Sequence, residues 1–287
     1  MARLQASVGV IGLGALGFPI AKRLMEAGCT VAVYDVRLDP VRELASLGAN
    51  PCSSPADVAR VSDLIISLVS DAEQTDAIVS GVGGILETLR SGTIFATGST
   101  LGPAPVLRVA QQIAGKGGRT LDIPISGGII AAREGMLSLM VGGDPELLAS
   151  VMPVLKVFAD NVTHTGEIGT GQVAKLAHQL VFSTNVMALL EGLALGEAGG
   201  VAPDVMKLVL KQGLANSSVL QIWHELGPRW KGMLEAKDAD EPLPNMRKDL
   251  HLVLEMAQKL GVALPLGNNV SQVADSGKAT GHKNPSL

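Results

Sequence analysis

The stretch Val8–Asp35, VGVIGLGALGFPIAKRLMEAGCTVAVYD, decides the fold. Its apolar opening, VGVI, runs straight into Gly12-Leu13-Gly14-Ala15-Leu16-Gly17, and this G-x-G-x-x-G turn opens a helical pattern that ends near Gly28. A second apolar run, TVAVYD, closes on Asp35, 18 residues past Gly17. Each glycine has a mechanical reason. Gly12 permits the tight turn, Gly14 lets backbone approach a pyrophosphate, and Gly17 lets helix and strand pack closely. The helix start then offers N–H donors to a phosphate. Strand, turn, helix, strand and acid in register are far more specific than the glycines alone. They predict a dinucleotide site cradled by Gly12, Leu13, Gly14, Ala15, Leu16 and Gly17. Asp35 is placed to accept from a ribose diol and opposes a 2′-phosphate, so NAD is the expected cofactor. Arg37 is either a solvated surface residue or a partner for that phosphate, which leaves NADP open.

The same rhythm extends to Val162. The runs SVGVIGL, TVAVYDV, DLIISLV, GTIFAT, RTLDIPI, LSLMVGG and NVTHTG alternate with helical patterns. Continuous apolarity is what strands covered on both faces require. An α/β fold follows, with an N-terminal Rossmann-type, doubly wound parallel sheet. After Gly166 no convincing strand recurs. Residues from Ile168 to about Glu197 read as one helix of about 30 residues, some 45 Å long at 1.5 Å per residue. Shorter helical segments follow, such as PDVMKLVLKQ and MRKDLHLVLEMAQKL. The expected organisation is a dinucleotide-binding domain over 1–165 and an all-α domain for substrate and dimerisation over 166–287, joined by a long interdomain helix. That helix exceeds what one small domain needs, so it is expected to cross into a partner subunit of a homodimer or homotetramer. No internal repeat or low-complexity segment is found, and the polar tail Asp275–Leu287 is expected to fray.

Composition agrees with two domains in 287 residues. The net charge of −4 offers no basic excess, so neither nucleic acid nor an anionic membrane surface is an expected partner. Hydrophobic residues make up 47% and aromatic ones only 2%, which calls for an aliphatic core. Cys29 and Cys52 form neither a disulfide framework nor a metal-ligand spacing, which points to a reducing cytoplasm. Met1–Ser7 lacks the long apolar run of a signal peptide. Later apolar stretches are interrupted by charges, Gly or Pro, so none is expected to span a membrane cleanly. No HxxxH and no Cys/His cluster suggests a metal.

Together with GLGALGFPIA, four ordered segments carry a resemblance: GSTLGPA, DIPISGGIIAAREGMLSLMVGG, GTGQVAKLAHQ and RKDLHLVLEMAQKLGVALPL. From about residue 8 to about residue 270 the chain resembles the β-hydroxyacid dehydrogenase family, which includes 3-hydroxyisobutyrate, tartronate semialdehyde and threonate dehydrogenases. The resemblance implies an oxidoreductase that moves hydride between NAD(H) and a small β-hydroxy acid or its semialdehyde. It implies that Ser126, Gly127 and Gly128 hold the substrate carboxylate, and two glycines after a serine do expose backbone N–H groups that suit an anion.

Lys175 resembles the family's catalytic lysine. A charged lysine among apolar residues is costly to bury unless it faces a cleft or finds a partner. Withdrawal from water favours an amine able to accept and donate a proton near neutral pH. Three and four residues on, His178 and Gln179 stand where family members commonly carry asparagine, and both share the lysine's helix face. Gln179 offers the same amide one methylene further out, whereas His178 is equally a substrate contact or a packing histidine. Lys248 resembles the lysine that approaches the nicotinamide end of the cofactor. Asp249, next to it, otherwise reads as a helix-start charge favoured by the dipole. Thr100, Leu68 and Val69 match cofactor-contacting positions, with Thr97 where many members have Asp and Val69 where many have Pro. His164, His224, His251 and His282 receive no chemistry. Trp223 and Trp230 read as packing or interface residues. Two other readings compete: an imine reductase of the same architecture, and a dinucleotide-binding protein without turnover. Lys175 argues against both, and the SGG pattern argues against the first.

Overall fold

The computed structural model of the chain describes residues 6–223 and 244–276. The elements run β1 (Ser7–Ile11), α1 (Gly17–Glu26), β2 (Thr30–Tyr34), α2 (Leu38–Ser46), β3 (Asn50–Pro51), α3 (Pro55–Val61), β4 (Leu64–Ser67) and α4 (Ala72–Ser80). They continue with β5 (Ile94–Thr97), α5 (Pro103–Ala114), β6 (Arg119–Asp122), β7 (Ile125–Ser126), α6 (Gly128–Glu134), β8 (Leu137–Gly142), α7 (Pro145–Leu155), β9 (Ala159–Gly166) and α8 (Thr170–Ala198).

The sheet order is β3-β2-β1-β4-β5-β6-β8-β7, with β9 beside β8. From β3 to β6 every pairing is parallel, as the apolar runs require. Beyond β6 the sheet is mixed: β8 runs antiparallel to β6 and β7, and β9 is parallel to β8. This departs from the wholly parallel expectation. The two-turn helix α6 reverses the chain between β7 and β8, whereas α7 carries it across to a parallel β9. Both faces of the sheet are covered. Val8, Val10, Leu64 and Ile66 pack into one cluster with Ile20 and Leu24 of α1. Ile11, Ile65 and Phe95 pack into another with Val58 of α3 and Val109 of α5. Side chains two apart on a strand share a face, so β1 and β4 feed both layers. The core is aliphatic, with Phe95 and Phe158 among its few rings.

The chain divides into two compact units inside α8, between Lys175 and Leu176. In the second unit α8 is followed by helices Pro203–Gln212, Ser218–Gln221, Pro244–Leu260 and Pro265–Ser276, and no strand occurs among its described residues. Its core gathers Val186, Leu190, Leu193, Trp223, Leu250 and Val270, so Trp223 is a packing residue. By length and composition α8 is long and apolar enough to cross a membrane. The sequence expectation of no such stretch is corrected here, because Leu176–Leu190 carries no charge. His224, Trp230, His282 and all of the tail beyond residue 276 lie outside the described residues.

Candidate active site

The strand order reverses between β1 and β4, and in open α/β sheets the crevice for ligands lies at the carboxyl ends of such a pair. Gly12, at the end of β1, has φ +90°, and a Cβ there would come within 2.8–3.0 Å of the Leu68–Val69 backbone. A Cβ on Gly17 would meet the Gly12 carbonyl oxygen at 1.9 Å, so α1 starts hard against the turn. A Cβ on Gly14 would meet nothing within 4 Å. That open space beside the start of α1 fits a pyrophosphate. Ala15 is exposed and Leu16 half-buried in the same turn.

How the helices begin sharpens this assignment. Ser54, Asp71 and Asp144 accept backbone N–H bonds at the starts of α3, α4 and α7, and α2 carries Asp39 in its first turn. By contrast α1, α5 and α6 begin on Leu16, Gly102 and Gly127, with neither a side-chain cap nor an acid in the first turn. Each of these three follows the carboxyl end of a strand; the backbone N–H groups of the Gly12–Gly17 turn and of Gly127–Gly128 suit an anionic ligand there, whereas α5 opens on Pro103 and Pro105, which have none to offer.

Asp35, nearly buried at the end of β2, accepts from the Leu13 N–H at 2.6 Å and the Arg37 N–H at 2.8 Å. The Arg37 guanidinium lies along it, with Nε 3.1 Å from Oδ1, and also reaches the Leu13 carbonyl. Burial pushes the carboxyl up, but the bonds from Arg37 and Leu13 and the Arg37 charge together hold it below the usual carboxylate range. Arg37 is therefore a solvated surface arginine, 62% exposed, that also lies along the acid. Leu13 contributes backbone to this lock while its side chain joins the core.

Around the turn, the Leu68 N–H donates to the Ile11 carbonyl, and the Val69 carbonyl accepts from the Ser99 hydroxyl. Half-buried Thr100 sits in the next loop. Ser126 ends β7 opposite Ser138. Gly127 and Gly128 have φ of +127° and +73°, both in the region that favours glycine. A Cβ on Gly128 would meet nothing within 4 Å, so this backbone is open to a ligand.

Two residues that sequence reasoning missed hold the start of α8. Asp122, fully buried at the end of β6, accepts from the Gly169 N–H at 2.7 Å and the Gln172 N–H at 2.8 Å. Burial raises its carboxyl above the usual range, although four backbone N–H groups oppose this. Gln172, also fully buried, accepts from the N–H groups of Leu101 and Gly102 and donates to the Ser99 carbonyl. The available signal was an acid standing between the apolar residues Leu121 and Ile123. Lys175, one turn along the helix, is only 6% exposed.

In the second unit, Gln179 Nε2 donates to Asp249 Oδ2 at 2.6 Å, and His178 Nδ1 lies 3.1 Å from Gln179 Oε1. With its amide nitrogen turned to the carboxylate, Gln179 presents an oxygen, so Nδ1 of His178 is the donor. The imidazole also stacks on Phe182. Lys248 Nζ lies 3.4 Å from Asp249 Oδ1. The expectation that Asp249 is a first-turn charge is corrected: its helix begins at Pro244, and the carboxylate is a buried partner of Gln179 in the second turn. His164 bonds the Gly143 carbonyl and His251 bonds Asp275. Among the described residues no group of three or more His, Cys, Asp or Glu is placed to hold a metal ion.

Two family patterns match. That of the NAD binding domain of 6-phosphogluconate dehydrogenase covers residues 7–166, and that of the NAD-binding domain of NADP-dependent 3-hydroxyisobutyrate dehydrogenase covers 169–285. The chain is 34% identical over 265 residues to 2-hydroxy-3-oxopropionate reductase of Escherichia coli, covering 90% of this chain and 86% of that one. Among solved structures, 3-hydroxyisobutyrate dehydrogenase from Salmonella typhimurium superimposes with a TM-score of 0.82 at 26% identity, covering 95% and 94% of the two chains. An imine reductase from Streptomyces aurantiacus shares the fold, with a TM-score of 0.67 at 20% identity, covering 94% of this chain and 95% of that one.

Gly14 and Gly17 separate stability from binding. Gly17→Ala should cost about 1–3 kcal/mol or more through backbone overpacking. Gly14→Ala should leave stability within about 0.5 kcal/mol and weaken NADH binding. Thermal unfolding and NADH fluorescence titration of both variants check this, and equal stability losses would refute it. Asp35→Ala should raise the NADP-to-NAD ratio of kcat/KM by about tenfold or more, since it frees Arg37 and removes the repelling charge. Because the folded carboxyl lies below its ordinary 3.8, the stability it lends is present above that pH and lost as pH falls through the folded value. The Tm of the parent should therefore fall more steeply than that of Asp35→Ala below about pH 4.

Proposed function

The chain belongs to the β-hydroxyacid dehydrogenase family, and from that premise we propose that Lys175 is the proton-transferring group of its reaction. The enzyme is an oxidoreductase that uses NAD(P) and acts on the hydroxyl group of a small β-hydroxy acid or on the matching semialdehyde. The nicotinamide, when bound, takes or returns the hydride.

The protein's own part is position, anion binding and a proton. Gly12, Gly14 and Gly17 with the start of α1 receive the pyrophosphate, and Asp35 takes the adjacent ribose. Leu68, Val69 and Thr100 line the cofactor, and Lys248 approaches its nicotinamide end. Ser126, Gly127 and Gly128 grip the substrate carboxylate with a hydroxyl and main-chain N–H groups. That fixes the hydroxyl-bearing carbon, and fixed geometry is the larger part of the rate advantage. Lys175 then takes the hydroxyl proton during oxidation and gives it back during reduction. His178 and Gln179 contact the substrate from the same helix. The observation that carries this reading is a lysine 6% exposed within a helix whose first turn is anchored by Asp122. An imine reductase of this fold and a dinucleotide-binding protein without turnover are set aside on the same lysine.

By role, residues 1–165 form the dinucleotide domain and 166–287 the domain for substrate and dimerisation. A homodimer or homotetramer is supported by exposed apolar side chains on the second unit, among them Leu195, Val205, Leu208 and Val209. The absence of basic excess supports a partner list without nucleic acid or membrane. Two free thiols support a cytoplasmic location.

The test is a panel of 3-hydroxyisobutyrate, glycerate, threonate, serine and 3-hydroxypropionate with NAD and NADP. At least one acid should turn over, and Lys175→Met should cut kcat roughly 100-fold or more with little change in NADH affinity. Full activity of that variant would overturn the assignment. Light scattering at micromolar protein should give twice or four times the monomer mass, and a monomer would sink the assembly.

A further inference from the structure

Resting on the reading of Lys175 as acid/base, we propose that Asp122 and Gln172 are positioning residues for it. They set where α8 begins and how its first turns are rotated, and they tie that helix to the loops around Gly12.

The cap on α8 is unusual in origin. No acid stands in the helix's own first turn. The carboxylate comes instead from the end of β6, 47 and 50 residues before the N–H groups it accepts. A cap from within the helix steadies only the helix, whereas one delivered by a strand end also fixes the helix to the sheet. The slot is tight. A Cβ on Gly171 would lie 2.6 Å from Asp122 Oδ2 and 2.5 Å from the Met140 carbonyl, and one on Gly142 would lie 2.3 Å from Asp122 Oδ1. Main chain walls the carboxylate on both sides, so the helix start has no room to slide.

Gln172 adds rotation. Its N–H points to Asp122, while its side chain reaches a different loop, with Oε1 2.9 Å from the Leu101 N–H and Nε2 2.9 Å from the Ser99 carbonyl. Two bonds from one residue toward different elements fix the helix about its own axis. Lys175, three residues on, shares that side of the helix. From Ser99 the hydroxyl bonds the Val69 carbonyl, and the Leu68–Val69 backbone is what packs on Gly12. Hydrogen bonds and packing thus run without a break from the helix of Lys175 to the nucleotide turn. Burying a carboxylate costs free energy that its backbone N–H bonds must first offset. Its service here is placement.

The experiment compares Asp122→Asn, Gln172→Leu and Lys175→Met at saturating NAD, using the acid with the highest kcat/KM in the panel. Folding is followed by circular dichroism and thermal unfolding, and NADH binding by fluorescence. Asp122→Asn should stay folded at the assay temperature and bind NADH within about threefold of the parent. Its kcat should drop tenfold or more, with KM for the acid within about threefold, because a displacement of about 1 Å costs up to ~100-fold. Gln172→Leu should lose kcat similarly, and it carries the test if Asp122→Asn does not fold. Added to Lys175→Met, neither change should lower the residual rate more than about twofold, since partners in one function are not additive. A folded variant with parental kcat, or losses that multiply with Lys175→Met, overturns the positioning role. Parental activity in Lys175→Met alone is a separate result, and it removes the acid/base reading on which this one stands.

Discussion

Gly17 can carry nothing larger than hydrogen, because the Gly12 carbonyl oxygen sits 1.9 Å from where its Cβ would be. That contact brings the first turn of α1 to the end of β1, and the rest of the nucleotide side follows from it. With the helix start drawn in, the Gly12–Gly17 turn lies at the carboxyl end of β1, where the strand order reverses. The turn is short enough for the Leu13 N–H to reach Asp35 at 2.6 Å across from β2. A larger residue at 17 would move the helix outward and loosen the turn that brings Leu13 to Asp35.

A pattern of omission runs through the first unit. A side-chain cap is worth about 1 kcal/mol to a helix. Helices α3, α4 and α7 take that stabilisation from Ser54, Asp71 and Asp144. Helices α1, α5 and α6 forgo both a cap and a first-turn acid. A carboxylate at any of these starts would occupy or repel what an anionic cofactor or substrate needs. Helix α8 falls between the two groups: its N–H groups are satisfied, but by Asp122 from the sheet. The helix that bears Lys175 is thus the one whose start is tied to the sheet by a strand-end carboxylate.

Much of this was legible in the chain itself. Of the seven strands that announced themselves, most did so because a strand covered on both faces must be apolar throughout, whereas β9, ADNVTHTG, is polar and largely exposed. The long helix followed from an unbroken helical pattern with no Gly or Pro between Gln172 and Glu191. The glycine turn was readable because its logic is steric and local. What escaped was non-local or short. The roles of Asp122 and Gln172 depend on partners 47 to 73 residues away, which no spacing rule connects. The two-residue strand β7 carries too little pattern to reveal that β8 returns antiparallel. Asp249 was misplaced because its helix starts earlier, at Pro244, which moves the carboxylate from the helix dipole into a buried contact.

Reaction class and substrate choice are written in different parts of the molecule. On the proposed reading, the first rests on backbone shape and one amine. On the same reading, the second rests on side chains such as His178 and Gln179, which stand where the family resemblance leads one to expect asparagine. Here Gln179 does not stand in for asparagine by reach alone. Its nitrogen is committed to Asp249 and its oxygen to His178 Nδ1. A buried carboxylate thereby sets the orientation of the amide, the amide sets the tautomer of the imidazole, and Phe182 holds the ring plane. The polar character of this helix face is the property of a linked set, so replacing Asp249 alone would alter what His178 donates without touching any atom of the ring.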